Sequence, residues 1–124
     1  MLYQIGGKLA SDEKSGNMKV FEINLDPHDK DYMVSIQLKE ELPVEQKFCR
    51  AVLIRNYILV AGEQSETYAL DLSTKRWVKF AKYPSPSAKP NLITIENRFV
   101  YYFCECSGQR EMYMLDFDRL GRGW

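Results

Sequence analysis

The chain has 124 residues, and seventeen Lys and Arg balance seventeen Asp and Glu, so its formal net charge is zero. That length suits one domain, and the balanced charge excludes both the basic footprint of a nucleic-acid binder and a polybasic membrane patch. An apolar content of 45%, with 13% aromatics, suffices for a core and leans toward strands. Three cysteines, an odd number, point to reduced thiols in a cytosolic-type compartment. The segment Met1–Ala10 lacks the basic region and apolar run of a signal peptide. Ala51–Ala61, the longest apolar stretch, is broken by Arg55-Asn56 and too short to span a bilayer.

In chain order, Met1–Ile5 reads as a short strand stopped by Gly6-Gly7, where positive φ is allowed at a sharp exit. Lys8–Asn17 is polar and is expected to be an exposed loop. Met18–Leu25 is the next strand, closed by Asp26-Pro27, a pair suited to start a turn. Tyr32–Leu38 alternates and predicts a half-buried strand. Lys39–Lys47 is a charged connector.

Beyond it, the chain repeats itself. Pro43–Gly62 aligns without a gap on Pro84–Phe103, each copy holding two apolar strands around a polar-Asn pair, Arg55-Asn56 and Glu96-Asn97. Asn tolerates left-handed backbone, so both pairs predict tight hairpin turns. Asp26, Asp71 and Asp116 recur 45 residues apart, and an aromatic follows six residues after two of them, as Tyr32 and Trp77. A period of this size marks a repeat architecture. The expected repeats are 1–38, 43–83 and 84–124, with four antiparallel strands in each full copy.

A strand, an Asn turn, an apolar strand ending at glycine, a variable loop, a strand ending in Asp, then Trp: this order resembles the kelch repeat. Gly6, Gly7, Gly62, Asp71 with Trp77, and Asp116 with Trp124 carry the resemblance across essentially the whole chain. It departs from the pattern at Ala61, at Phe103-Cys104 and at Tyr32, which stands where Trp is usual. The resemblance implies an all-β fold, a partial kelch-type β-propeller of about two and a half to three four-stranded blades. The first copy would lack its first strand and the last copy most of its fourth. Three open blades expose sheet edges, and propellers close with four to eight. The chain is therefore expected to be a fragment of a longer polypeptide or to be completed by other chains, with the fragment preferred.

In antiparallel blades, the connections after the second and fourth strands share one end. That end collects the segments of variable length, where rigid scaffolds carry recognition. Lys14, Glu41, Glu63, Gln64, Glu66, Glu105 and Arg110 are its candidate partner-binding residues. The aspartate series is expected to cap turns rather than catalyse, and Trp77 to pack between blades. Cys104-x-Cys106 has no further Cys or His nearby in sequence to complete a zinc site and reads as structural thiols. His28 is the only histidine, so nucleophilic triads have one place to form; it sits in a turn. Glu40-Glu41 and Asp12-Glu13 lie in charged loops with no apolar pocket to raise a pKa. Ser85-Pro86 fits proline-directed phosphorylation. No cofactor, metal or catalytic residue is expected, and no nucleic-acid or membrane partner. The resemblance implies a non-catalytic interaction scaffold whose partners are other proteins, among them cytoskeletal or ciliary assemblies or ubiquitin-ligase substrates. Two alternatives stand beside it: an enzyme whose active site lies on blades not present in this chain, and a structural subunit completed by neighbours.

Overall fold

Apolar segments rich in Val, Ile, Leu and Tyr, cut by Asn, Asp and Gly turns, favour the pleated backbone over the helix. The computed structural model describes residues 1–6, 8–9, 12–16, 18–44, 49–62, 66–80, 82, 90–106 and 108–124, and of 8–9, 12–16 and 106 the backbone alone. Its strands are β1 (Leu2–Ile5), β2 (Lys8–Leu9), β3 (Asp12–Gly16), β4 (Val20–Ile23), β5 (Ser35–Gln37) and β6 (Cys49–Ile54). There follow β7 (Tyr57–Gly62), β8 (Thr67–Asp71), β9 (Arg76–Phe80), β10 (Asn91–Ile95), β11 (Phe99–Cys106) and β12 (Gln109–Asp116). The chain is all-β: no α-helix occurs among the described residues, and a single 3-10 turn, Leu120–Arg122, follows β12. Every pairing is antiparallel, in a sheet of order β1-β4-β5, a sheet β6-β7-β8-β9, a sheet β10-β11-β12 and a ribbon β2-β3. Met1–Lys47 and Phe48–Trp124 are two compact units.

Within the first unit, Gly6 takes φ 64°, the left-handed exit its position calls for. Gly7 lies outside the described residues. Lys8–Asn17 is not simply a loop: β2 and β3 pair with each other across it. A polar segment with no apolar alternation still has backbone N–H and C=O groups to satisfy, and a two-stranded ribbon satisfies them locally. The strand expected over Tyr32–Leu38 shrinks to β5, whose three residues are all exposed. Tyr32 lies ahead of it in a turn, donating its N–H to Asp29 O (3.1 Å), and is 49% exposed. It therefore does not occupy the place Trp77 holds on β9, opposite Leu70. The connector is anchored: Leu42 is fully buried and donates its N–H to Met18 O at 2.7 Å.

Within the second unit the hairpin turns fall where expected, but their lengths differ. Ile54 pairs with Tyr57 across the two residues Arg55-Asn56, whereas Ile95 pairs with Phe99 across three, Glu96-Asn97-Arg98. The left-handed residues are Arg55 in the first turn and Glu96 and Asn97 in the second. One extra residue flips every side chain that follows it to the other face of the sheet. A gapless alignment equates Leu59 with Val100; by strand pairing, Leu59 corresponds to Tyr101.

This offset decides how the sheets stack. Ile54, Leu59 and Ala69 on one face of the β6–β9 sheet form a buried cluster with Val100, Leu115 and Phe117 of the following sheet. Ala61, Tyr102 and Cys104 continue it, with Leu92, Tyr113 and Trp124 packed against them. Tyr57, Phe80 and Phe117 interlock with ring centroids 5.6–6.2 Å apart, and Trp124 meets Tyr102 edge-on at 5.9 Å. Complete burial of one such Leu or Ile contributes about 1.5–3 kcal/mol, so this face-to-face contact is a substantial part of the stability of the unit.

Candidate functional site

In each of the three larger sheets one strand leads into a turn that the repeated aspartate closes with its carboxylate. Asp26 Oδ1 accepts from His28 N–H at 2.9 Å, Asp71 Oδ1 from Ser73 N–H at 2.8 Å, and Asp116 Oδ1 from Asp118 N–H at 2.9 Å. The carbonyls of the same residues accept from Asp29, Lys75 and Arg119 N–H at 3.1, 2.7 and 2.9 Å. This is the local side-chain-to-backbone bonding that makes Asp a turn residue.

Antiparallel order gives the second unit two unlike ends. The turns after β6, β8 and β10, and the chain leaving β12, form one end, and polar side chains crowd it. Arg55 N–H donates to Asn97 Oδ1 (2.6 Å), Arg55 Nε to Asn97 O (3.2 Å) and Nη1 to Phe117 O (3.3 Å). Arg55 Nη2 also pairs with the Asp118 carboxylate. Arg98 grips Asp116 with two parallel bonds, Nε to Oδ1 at 3.0 Å and Nη2 to Oδ2 at 2.9 Å, and its Nε lies 3.2 Å from Asp118 Oδ2. The guanidinium of Arg98 also stacks 4.7 Å from the Phe99 ring centre. Asn56 Nδ2 donates to Ser73 Oγ, tying the first and third turns of the β6–β9 sheet together.

The electrostatics follow from that geometry. The Arg98 hydrogen bonds hold the Asp116 carboxyl at about 2, against an ordinary value near 3.8, while partial burial opposes the shift. Asp116 in turn raises Arg98. Asp116 therefore stays ionised at neutral pH, and a general acid or base works best with a pKa near the operating pH. Its chemistry is cohesion: the network joins residues of the β6-β7 turn to residues on both sides of the β10-β11-β12 sheet. In the sequence Arg55 stands out only as half of a turn pair, and Arg98 and Asp118 not at all, although these two lie within two residues of Asn97 and Asp116. A cation beside an Asn turn and a D-x-D at a strand end are the signals that would have found them.

The opposite end of the second unit carries Glu66, Glu105 and Arg110, three of the seven residues marked for partner binding. Glu41, in the first unit, is exposed, as are Glu105 and Arg110, which face each other across the last described rungs of β11 and β12. Glu66 is half-buried and bonded to Lys82 Nζ at 3.1 Å, which holds its carboxyl below the usual range. Lys14 sits on β3, placed by its backbone alone. Glu63, Gln64, Ser85 and Pro86 lie outside the described residues. Of the seven residues, Glu41, Glu66, Glu105 and Arg110 have described side chains.

No protein-family model matches the chain, and no curated protein is similar to it in sequence.

Among the described residues, no three His, Cys, Asp or Glu side chains are placed to hold a metal ion. Cys104 is buried on β11 and Cys49 half-buried on β6; the Cys106 side chain is outside the described residues. His28 is exposed in its turn. No helix among the described residues is long and apolar enough to cross a membrane.

Proposed function

We propose that the chain is a non-catalytic protein-interaction scaffold made of kelch-type propeller blades, whose partners engage the end bearing the long connections. The observation that carries this reading is the succession of sheets. A three-stranded sheet, a four-stranded sheet and a three-stranded sheet follow one another in sequence order. The first lacks the strand that would precede β1 and the last lacks one after β12, and the second and third stack face to face. Radially repeated small antiparallel sheets are the propeller's device for limiting open edges.

Two further features favour binding over catalysis. At the turn end, Arg55 and Arg98 are engaged with Asp116 and Asp118, and Asp116, the one strongly shifted carboxyl among the described residues, is held well below neutral pH. At the other end, Glu105 and Arg110 are exposed on paired strands, beside a connection of the kind that carries recognition residues. The partners are other proteins, in a cytoplasmic setting; cytoskeletal or ciliary assemblies and ubiquitin-ligase substrates are the classes the kelch resemblance implies.

A photo-reactive residue in place of Glu105 or Arg110, compared with one in place of Thr74 or Glu96 at the turn end, tests the reading. Irradiation in cells of the source organism should join the same partner polypeptides to the first pair and not to the second. Equal capture at both ends, or capture only at the turn end, overturns it.

A further inference from the structure

The third sheet turns an apolar face to solvent. Ile93, Ile95, Phe103, Met112 and Met114 are all exposed, Met112 at 59% and Ile95 at 43%. The strand pairing puts them side by side: Phe103 is opposite Met112, and Ile93 and Met114 are both opposite Tyr101. Isolated exposed apolar residues are ordinary, whereas a contiguous patch marks an interaction site.

The repeat says what kind of surface fits there. By strand pairing, Ile95 corresponds to Ile54, Phe103 to Ala61, Met112 to Thr67 and Met114 to Ala69. All four residues on the β6–β9 sheet are fully buried. What lies on that face is the opposite face of the next sheet, with Val100, Tyr102 and Leu115 at its centre.

The first sheet carries an open face of that covering kind. An L-residue's side chain faces one way or the other according to the side on which its N–H and C=O bond. Val20 and Asn24 bond toward β5, accepting from Leu38 N–H (2.8 Å) and donating to Val34 O (3.2 Å). Asp71 likewise bonds toward β9, through Lys75 N–H. Val20 and Asn24 therefore match the face of Ala69 and Asp71, and Phe21 and Ile23 match the face of Tyr113 and Leu115. Leu2, paired with Ile23, is 49% exposed. Leu25 is 42% exposed, while its counterparts before the other aspartates, Leu70 and Leu115, are fully buried.

We infer that the exposed face of β10-β11-β12 is a docking surface for a second copy of this chain, which covers it with its own β1-β4-β5 sheet. Each copy presents one half of the contact that already joins the second and third sheets. The association is head-to-tail, so two or more copies close a ring where the rotation allows and otherwise extend. It rests on the stacking of the sheets and not on the loop-end reading above; Glu105 and Arg110 lie on the same face two rungs beyond Phe103 and Met112, so a cross-link there to a second copy counts for this proposal and only capture of a different polypeptide counts for the loop-end reading.

Sedimentation velocity on the 124-residue chain across a wide concentration range tests it. The wild type should associate. Met112→Lys and Leu2→Lys, both at exposed positions, should each keep the native circular dichroism yet sediment as monomers, with affinity lowered at least about 100-fold by the buried unpaired charge. Mixed one to one, the two variants should associate again, because the Leu2→Lys copy retains an intact third-sheet face and the Met112→Lys copy an intact first-sheet face. A wild type that stays monomeric, an oligomer indifferent to both substitutions, or a mixture that remains monomeric overturns the proposal.

Discussion

Ile54 and Ile95 occupy the same place in successive repeats, end the same strand and precede the same hairpin, but one is fully buried and the other 43% exposed. That contrast makes Ile54→Val and Ile95→Val a controlled pair. At position 54 the lost methyl leaves a gap among Leu59, Ala69, Val100 and Phe117, side chains of two sheets that cannot both move in to fill it. Transfer and cavity terms then add, and about 1 kcal/mol is expected. At position 95 roughly half the side chain already meets water and solvent fills the space, so the cost falls to about 0.3 kcal/mol. β-propensity cancels, since both changes are Ile to Val on paired strands. Urea unfolding followed by tryptophan fluorescence, at protein concentrations low enough to keep copies apart, measures the two midpoints. Equal losses at the two positions would refute the register and the stacking drawn from it.

Three further outcomes follow from the turn end. The folded-state pKa of Asp116 lies below its ordinary value, so its stabilising contribution is complete above about pH 4 and is lost as pH falls toward 2; in Arg98→Gln the loss of stability over that interval should be shallower, as read from urea midpoints between pH 2 and 7. Arg55→Ala should cost about 2 kcal/mol through its bonds to Asn97, Phe117 and Asp118, and a double-mutant cycle with Asp118→Ala should assign about 0.5–1 kcal/mol of it to that partly exposed pair. Glu96 holds φ 55° with an exposed side chain, so Glu96→Asn should raise the melting temperature, by an amount matching several tenths of a kcal/mol.

Much of the second unit was legible in the sequence because its signals are local. Asp71 and Asp116 close their turns by bonding two residues on, and the polar-Asn pairs mark hairpins whose flanking strands alternate. What was not legible is register. The run Phe99–Cys106 is apolar at nearly every position, so either face reads as the core, and the extra residue in the Glu96–Arg98 turn, which decides between them, is visible only through pairing. The ribbon β2-β3 was hidden for the opposite reason: its polar residues have no alternation, and backbone bonding alone defines it. Tyr32 misled because a six-residue spacing after Asp26 matched Trp77 by count, while the turn Asp26–Met33 uses those residues differently. The Arg55–Asp118 network joins residues 63 apart in sequence, a proximity that only the stacked sheets create.

The stacking of the second and third sheets is the claim on which the rest stands, and one amide reports it. The Arg55 N–H is in an exposed two-residue turn, where it has no partner within its own hairpin, yet it donates to Asn97 Oδ1 of the neighbouring sheet at 2.6 Å. Asn97→Gly removes that acceptor while suiting the φ of 51° at the position. Hydrogen exchange by NMR should find the Arg55 amide protected in the wild type and exchanging at least about tenfold faster in Asn97→Gly, with the amides of β7 and β8 unchanged. An Arg55 amide that exchanges at the same rate in both proteins would contradict the stacking.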